Sequence, residues 1–148
     1  MKKSRPLIGI IAAEAEYVFF SNALNTIQKE LFAANMDAAV FSSLMMSGNA
    51  EFDAAENSVY DLVDFDLLDG IIIFPYSIND VTSRERLIAR IKSDFKGPVV
   101  SFDSQVDGFA NCIYNYEPVA DMMVSHIMDH HGCKVIDFVG GPKDEFHD

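Results

Sequence analysis

The sequence predicts an α/β fold, a doubly wound parallel sheet, and three observations carry that expectation. The first is Asp69-Gly70-Ile71-Ile72-Ile73-Phe74-Pro75: a turn, an unbroken apolar run and a proline stop. A strand with no polar/apolar alternation is apolar on both faces, so it sits mid-sheet with helices above and below. The second is a similar run at residues 6–12 and a shorter one at 99–102. The third lies between these runs, where apolar residues recur at helical spacing. Strands alternating with helices build parallel βα units.

Residues 6–12 read as the first strand, followed by a loop over 13–18. A helix over about 19–34 turns Phe20, Ala23, Leu24, Ile27 and Leu31 inward, and Asn35 is a left-handed stop. Residues 37–42 form the second strand and 43–49 a loop rich in Ser, Met and Gly. A second helix over about 51–64 turns Phe52, Ala55, Val59, Leu62 and Val63 inward. After the central strand, Thr82-Ser83-Arg84-Glu85 fits a capping box. It opens a third helix with Leu87, Ile88, Ile91 and Phe95 inward, closed by Gly97-Pro98. Residues 99–102 and 111–114 are the fourth and fifth strands. Pro118 suits the first turn of a fourth helix that runs to His131 and stops at Gly132. Residues 135–139 are a sixth strand. The fourth helix carries Val119, Met122, Met123, Val124, Ile127 and Met128, which leaves little polar face. Such a helix needs burial on more than one side.

Composition narrows the function. A chain of 148 residues, 49% hydrophobic, is long enough for one domain with a real core. Its formal net charge of −12 argues against nucleic-acid contact by this region, since phosphates require a Lys and Arg surplus. Met1-Lys2-Lys3 and the run after it imitate a secretory leader, but the run serves better as a strand, so a cytoplasmic protein is expected. No run is long enough to cross a membrane. Cys112 and Cys133 stand far apart and read as small core residues.

The strand ends lack the motifs of the commonest α/β chemistries. There is no GxGxxG after the first strand, no GxxxxGK[ST] and no GxSxG. The central strand ends in Phe74-Pro75, where a phospho-receiver needs a carboxylate, so Glu14 and Glu16 read as solvated loop residues. His126, His130 and His131 read as imidazoles at a helix C-terminus, where the dipole favours them. No third ligand is evident near them, so no metal is expected. What remains is a rim of aromatic and uncharged groups at the strand ends. Ligands of open parallel sheets bind there. The candidate ligand contacts are Phe19, Phe20, Tyr76, Asp103 and Asn115, with one of the two phenylalanines expected in the core. Aromatic faces with a few amide and carboxylate acceptors suit a neutral polar ligand such as a sugar or nucleoside. They do not suit bond cleavage, so neither a catalytic set nor a cofactor is expected.

Stretches in order along the chain resemble the LacI/GalR-type ligand-sensing domain, the type I periplasmic-binding-protein fold. They are Val18-Phe19-Phe20-Ser21, Phe65-Asp66-Leu67-Leu68-Asp69-Gly70-Ile71-Ile72, Gly97-Pro98-Val99-Val100-Ser101-Phe102-Asp103, and His131-Gly132-Cys133-Lys134 with Ile136 and Gly141-Pro142. The wording is nearest to sensor domains joined to diguanylate cyclases. The resemblance implies a two-lobed clamp with its ligand in the cleft. Residues 1–113 would be the first lobe, and 114–148 the crossover with the first helix and strand of an incomplete second lobe. It also implies a homodimer and a small-molecule effector. The output would be a DNA-binding head, as in a transcription regulator, or a cyclase in a signal-transduction protein. Asn115-Tyr116 departs from the family's acidic pattern. Without a second lobe, the fourth helix would dock on the first lobe or pair with the same helix of another copy. Competing readings are a flavodoxin-like enzyme or carrier and a secreted sugar-binding protein of a transporter.

Overall fold

The computed structural model describes residues 5–44 and 49–137. Its elements are β1 (Leu7–Ala13), α1 (Val18–Ala33), β2 (Asp37–Ser43), α2 (Ala50–Asn57), β3 (Gly70–Ile73), α3 (Val81–Asp94), β4 (Val99–Phe102), β5 (Ala110–Cys112) and α4 (Glu117–Ser125). The five strands form one sheet in the order β2-β1-β3-β4-β5, and every pairing is parallel. Doubly wound flavodoxin-like sheets share this order. The chain divides into two compact units, Met1–Ile113 and Tyr114–Asp148.

Both faces of the sheet are covered, which is why β1 and β3 are apolar throughout. Ile11, Ala13, Ile71 and Ile73 face a core shared with Tyr60, Val63, Leu87, Ile91 and Phe95. Ile10, Ala12 and Phe74 face the opposite core, where Leu24 is buried and Phe20, Ala23, Ile27 and Leu31 pack beside it. The inward sets expected for α1 and α3 are therefore the observed ones. Asn35 takes the left-handed backbone (φ 60°) that ends α1.

Other expectations fail, each for a physical reason. The second helix does not run to residue 64: it is α-helical only over Ala50–Asn57 and tightens to 3₁₀ over Ser58–Leu62. Its buried face also differs from the expected one already within the α-helical part. Phe52, Ala55 and Leu62 are exposed, while Asp53, Asn57, Tyr60 and Val63 are buried. α3 begins at Val81, because the Asp80 carboxylate accepts from Ser83 N at 2.8 Å and takes the cap from Thr82. Gly97 does not close α3, whose cap is Phe95. It is needed for close approach instead: a Cβ there would lie 2.4 Å from Phe95 Cζ and 3.2 Å from Asp69 O.

The cysteines are not core residues. Cys112 is exposed because β5 is an edge strand with all three residues in solvent, and Cys133 is exposed beyond the last helix. Residues 135–137 form no strand, and the rest of the expected sixth strand lies outside the described residues. In the second unit, α4 continues into a π-helical turn over His126–His130 and stops at left-handed Gly132 (φ 65°). Met122, Met123, Val124 and Met128 are exposed, contrary to the burial expected of them, and Ile127 is half-buried.

Candidate functional site

In a sheet ordered β2-β1-β3-β4-β5 the connections leave β1 in opposite directions, which opens a crevice at the carboxyl ends of β1 and β3. Three buried polar side chains fix this end of the sheet. Tyr60 Oη donates to Ala12 O at 3.0 Å and contacts Ser43 Oγ at 2.8 Å, joining the ends of β1 and β2. Ser77 Oγ accepts from Ala13 N and donates to Phe74 O, both at 2.8 Å, joining β1 to the turn after β3. Burial pushes the Tyr60 phenol upward from its ordinary pKa, so it stays a neutral donor.

On this frame a chain of aromatic rings crosses the rim. Phe19 meets Phe20 edge-on at 5.3 Å, Phe20 meets Phe74 at 5.9 Å, and Phe74 meets Phe102 at 4.9 Å. Phe19 is 52% exposed, whereas Phe20 packs against the core, so Phe20 is the structural member of the pair. Tyr76 sits in the 3₁₀ turn Pro75–Ser77 after β3 and is 37% exposed. Asp103 follows β4. Phe19, Phe20, Tyr76 and Asp103 thus follow three adjacent strands at the carboxyl end of the sheet. Asn115 belongs to the second unit, where its Oδ1 accepts from Glu117 N at 3.2 Å.

Two acids on this rim stand out by backbone and by charge. Among the described residues, the non-glycine positions with positive φ are Glu14 (56°), Asn35 (60°) and Asp103 (62°). Asn35 ends a helix, where an amide residue tolerates that shape. Glu14 and Asp103 instead sit where β1 and β4 end; sterics disfavour the conformation for Glu14, and a short Asp side chain tolerates it better but less well than Gly or Asn. Burial raises the pKa of both carboxyls, with Glu16 adding to the effect at Glu14. Glu14 is therefore only partly solvated, contrary to the sequence reading. Its Oε1 receives Asn79 Nδ2 at 3.5 Å. It also edges a dent lined by Ser43, Asp53, Asn57, Ser77 and Asp80. That dent offers about 10 Å³ to water-sized molecules, room for one water. Hollows of about 400 Å³ lie elsewhere, one beside Asp61–Asp66 and Arg90, the other beside Phe95, Pro98 and Phe109.

The rim therefore offers ring faces for stacking and carboxylates, hydroxyls and amides for hydrogen bonds, on an open ledge. Sequence reasoning missed Tyr60 and Ser43; the end of the central strand put Ser77 on the rim, without its bonds to Ala13 and Phe74. The one available signal for Ser43 was a serine at the end of the second strand run. Neither a known family profile nor a curated protein matches this chain.

Proposed function

We propose that this chain is a small-molecule sensor domain of a bacterial regulator, of the LacI/GalR-like kind, and that the rim after β1, β3 and β4 is half of its ligand cleft. The ligand is a neutral polar ring compound, a sugar or nucleoside. Phe19 and Tyr76 stack on it, and Asp103 accepts from its hydroxyls. One observation carries this reading: two partly buried acids, Glu14 and Asp103, held in left-handed backbone at the ends of β1 and β4. Strain and desolvation at one rim are a cost that recurs at ligand sites. In this reading the domain has no catalytic role of its own. Binding shifts a two-lobed clamp between open and closed states, and a paired cytoplasmic regulator passes that shift to a DNA-binding or cyclase output.

A thermal-shift screen against sugars and nucleosides tests the reading. A ligand at a hundred times its Kd adds about 2.7 kcal/mol, which raises Tm by roughly 5–10 °C in a domain of this size. Phe19→Ala and Asp103→Asn should each abolish the shift. Turnover of a panel member without any stabilisation would refute the proposal. The strand order also favours a second reading, a flavodoxin-like carrier. That reading requires a yellow protein with a flavin absorption band.

A further inference from the structure

We infer that His126 and His131 form a two-ligand site for a borderline divalent cation, Zn²⁺, Ni²⁺ or Cu²⁺. From sequence alone these residues read as dipole-stabilised imidazoles, since no third ligand stands near them, and an ordinary helix does not superpose positions five apart. The π-helical turn His126–His130 changes that. A π-turn closes i to i+5, and such single-turn bulges are frequent at functional sites. The turn is held in place by Gly132 (φ 65°) and by Cys133 N donating to Ile127 O at 3.4 Å.

The result is that His131 Nε2 lies 3.2 Å from His126 Nε2. The ring planes stand 80° apart and the ring centroids 4.9 Å apart. A straight N–H···N hydrogen bond at that N···N distance would put the centroids about 5.5 Å apart. Two rings aimed at one metal about 2.05 Å from each nitrogen would put them about 5.0 Å apart. The observed spacing matches the second arrangement more closely than a straight bond, and in the metal-free protein the same contact serves as a bent N–H···N hydrogen bond. Imidazole is the ligand these metals share. The His130 ring lies 5.1 Å and 5.9 Å from the other two, flanking the pair. Among the described residues, no three His, Cys, Asp or Glu groups are placed to hold a metal ion. The chain therefore supplies two ligands and water completes the sphere. All three histidines are exposed, so the pair is open to a cation from solution.

Calorimetric titration of the untagged protein with Ni²⁺, and separately with Zn²⁺, tests the site. One ion per chain should bind with micromolar affinity. His126→Gln and His131→Gln should each weaken binding at least tenfold, and His130→Gln should leave it within about twofold. Helical circular dichroism should be the same in all variants, since each replaces an exposed side chain. Absence of binding, binding that survives the His126→Gln/His131→Gln double variant, or equal loss in His130→Gln would each overturn the assignment.

Discussion

At the scale of single residues, the fold concentrates its conflicts on the rim. Left-handed backbone costs a non-glycine residue about 1–2 kcal/mol. Asp103→Asn should therefore stabilise the protein by about 1 kcal/mol at neutral pH, because Asn accepts the conformation better and carries no charge. The pH dependence has a definite sign. The folded pKa of Asp103 is raised, so its contribution is full below the ordinary carboxylate value and fades as pH rises through the folded value. Denaturant unfolding should show the parent gaining stability between neutral and mildly acidic pH, and Asp103→Asn losing part of that gain. A variant less stable at neutral pH would show that the carboxylate is structural. Tyr60→Phe removes the hydroxyl between Ala12 O and Ser43 Oγ and should destabilise by about 1–3 kcal/mol. Placing Asp103 after a strand needed only the apolar run before it. Its left-handed turn is set by the bond from Asp103 N to Cys112 O, a contact no local pattern reveals.

At the scale of elements, strands buried on both faces and helices with one broad stripe were legible. The runs around Ile10, Ile72 and Val100 became β1, β3 and β4, and the stripe from Phe20 to Leu31 became the buried face of α1. The second helix was misread in its first half, where the buried positions are polar. Asp53 and Asn57 are inside while Phe52 and Ala55 are out, so hydrophobic spacing misled there, whereas Val59 and Val63 of the expected set do pack on the core. At α3 two capping signals competed within three residues, and the carboxylate of Asp80 prevailed. Asp80→Ala should cost about 1 kcal/mol. Hydrogen bonds from Ser83 hold the Asp80 pKa below its ordinary value. Its contribution is therefore present above the ordinary carboxylate pKa and is lost as pH falls through the depressed one. The difference between parent and Asp80→Ala should vanish in strong acid and persist at pH 7. Gly97→Ala should cost about 1–3 kcal/mol, because the Phe95 ring that a Cβ would strike is packed in the core. An unchanged denaturation midpoint would mean that the ring can yield.

At the scale of the whole molecule, parallel pairing and the position of the rim follow from alternating βα units, whereas the order β2-β1-β3-β4-β5 does not, since other doubly wound sheets have other orders. The ligand does not follow from them, because one sheet serves many chemistries. Exposed Met122 and Met123 on α4, and Met128 in the π-helical turn after it, show the limit of arguing burial from composition alone. The central claim is that a small polar ligand binds where β1, β3 and β4 end. Backbone amide NMR, with the most stabilising sugar or nucleoside titrated in, tests it most directly. The account predicts the largest shift changes at Glu14, Phe19, Tyr76, Ser77 and Asp103. Changes confined to the amino ends of the strands, at Leu7, Gly70 and Val99, would contradict it, as would an unchanged spectrum with every compound.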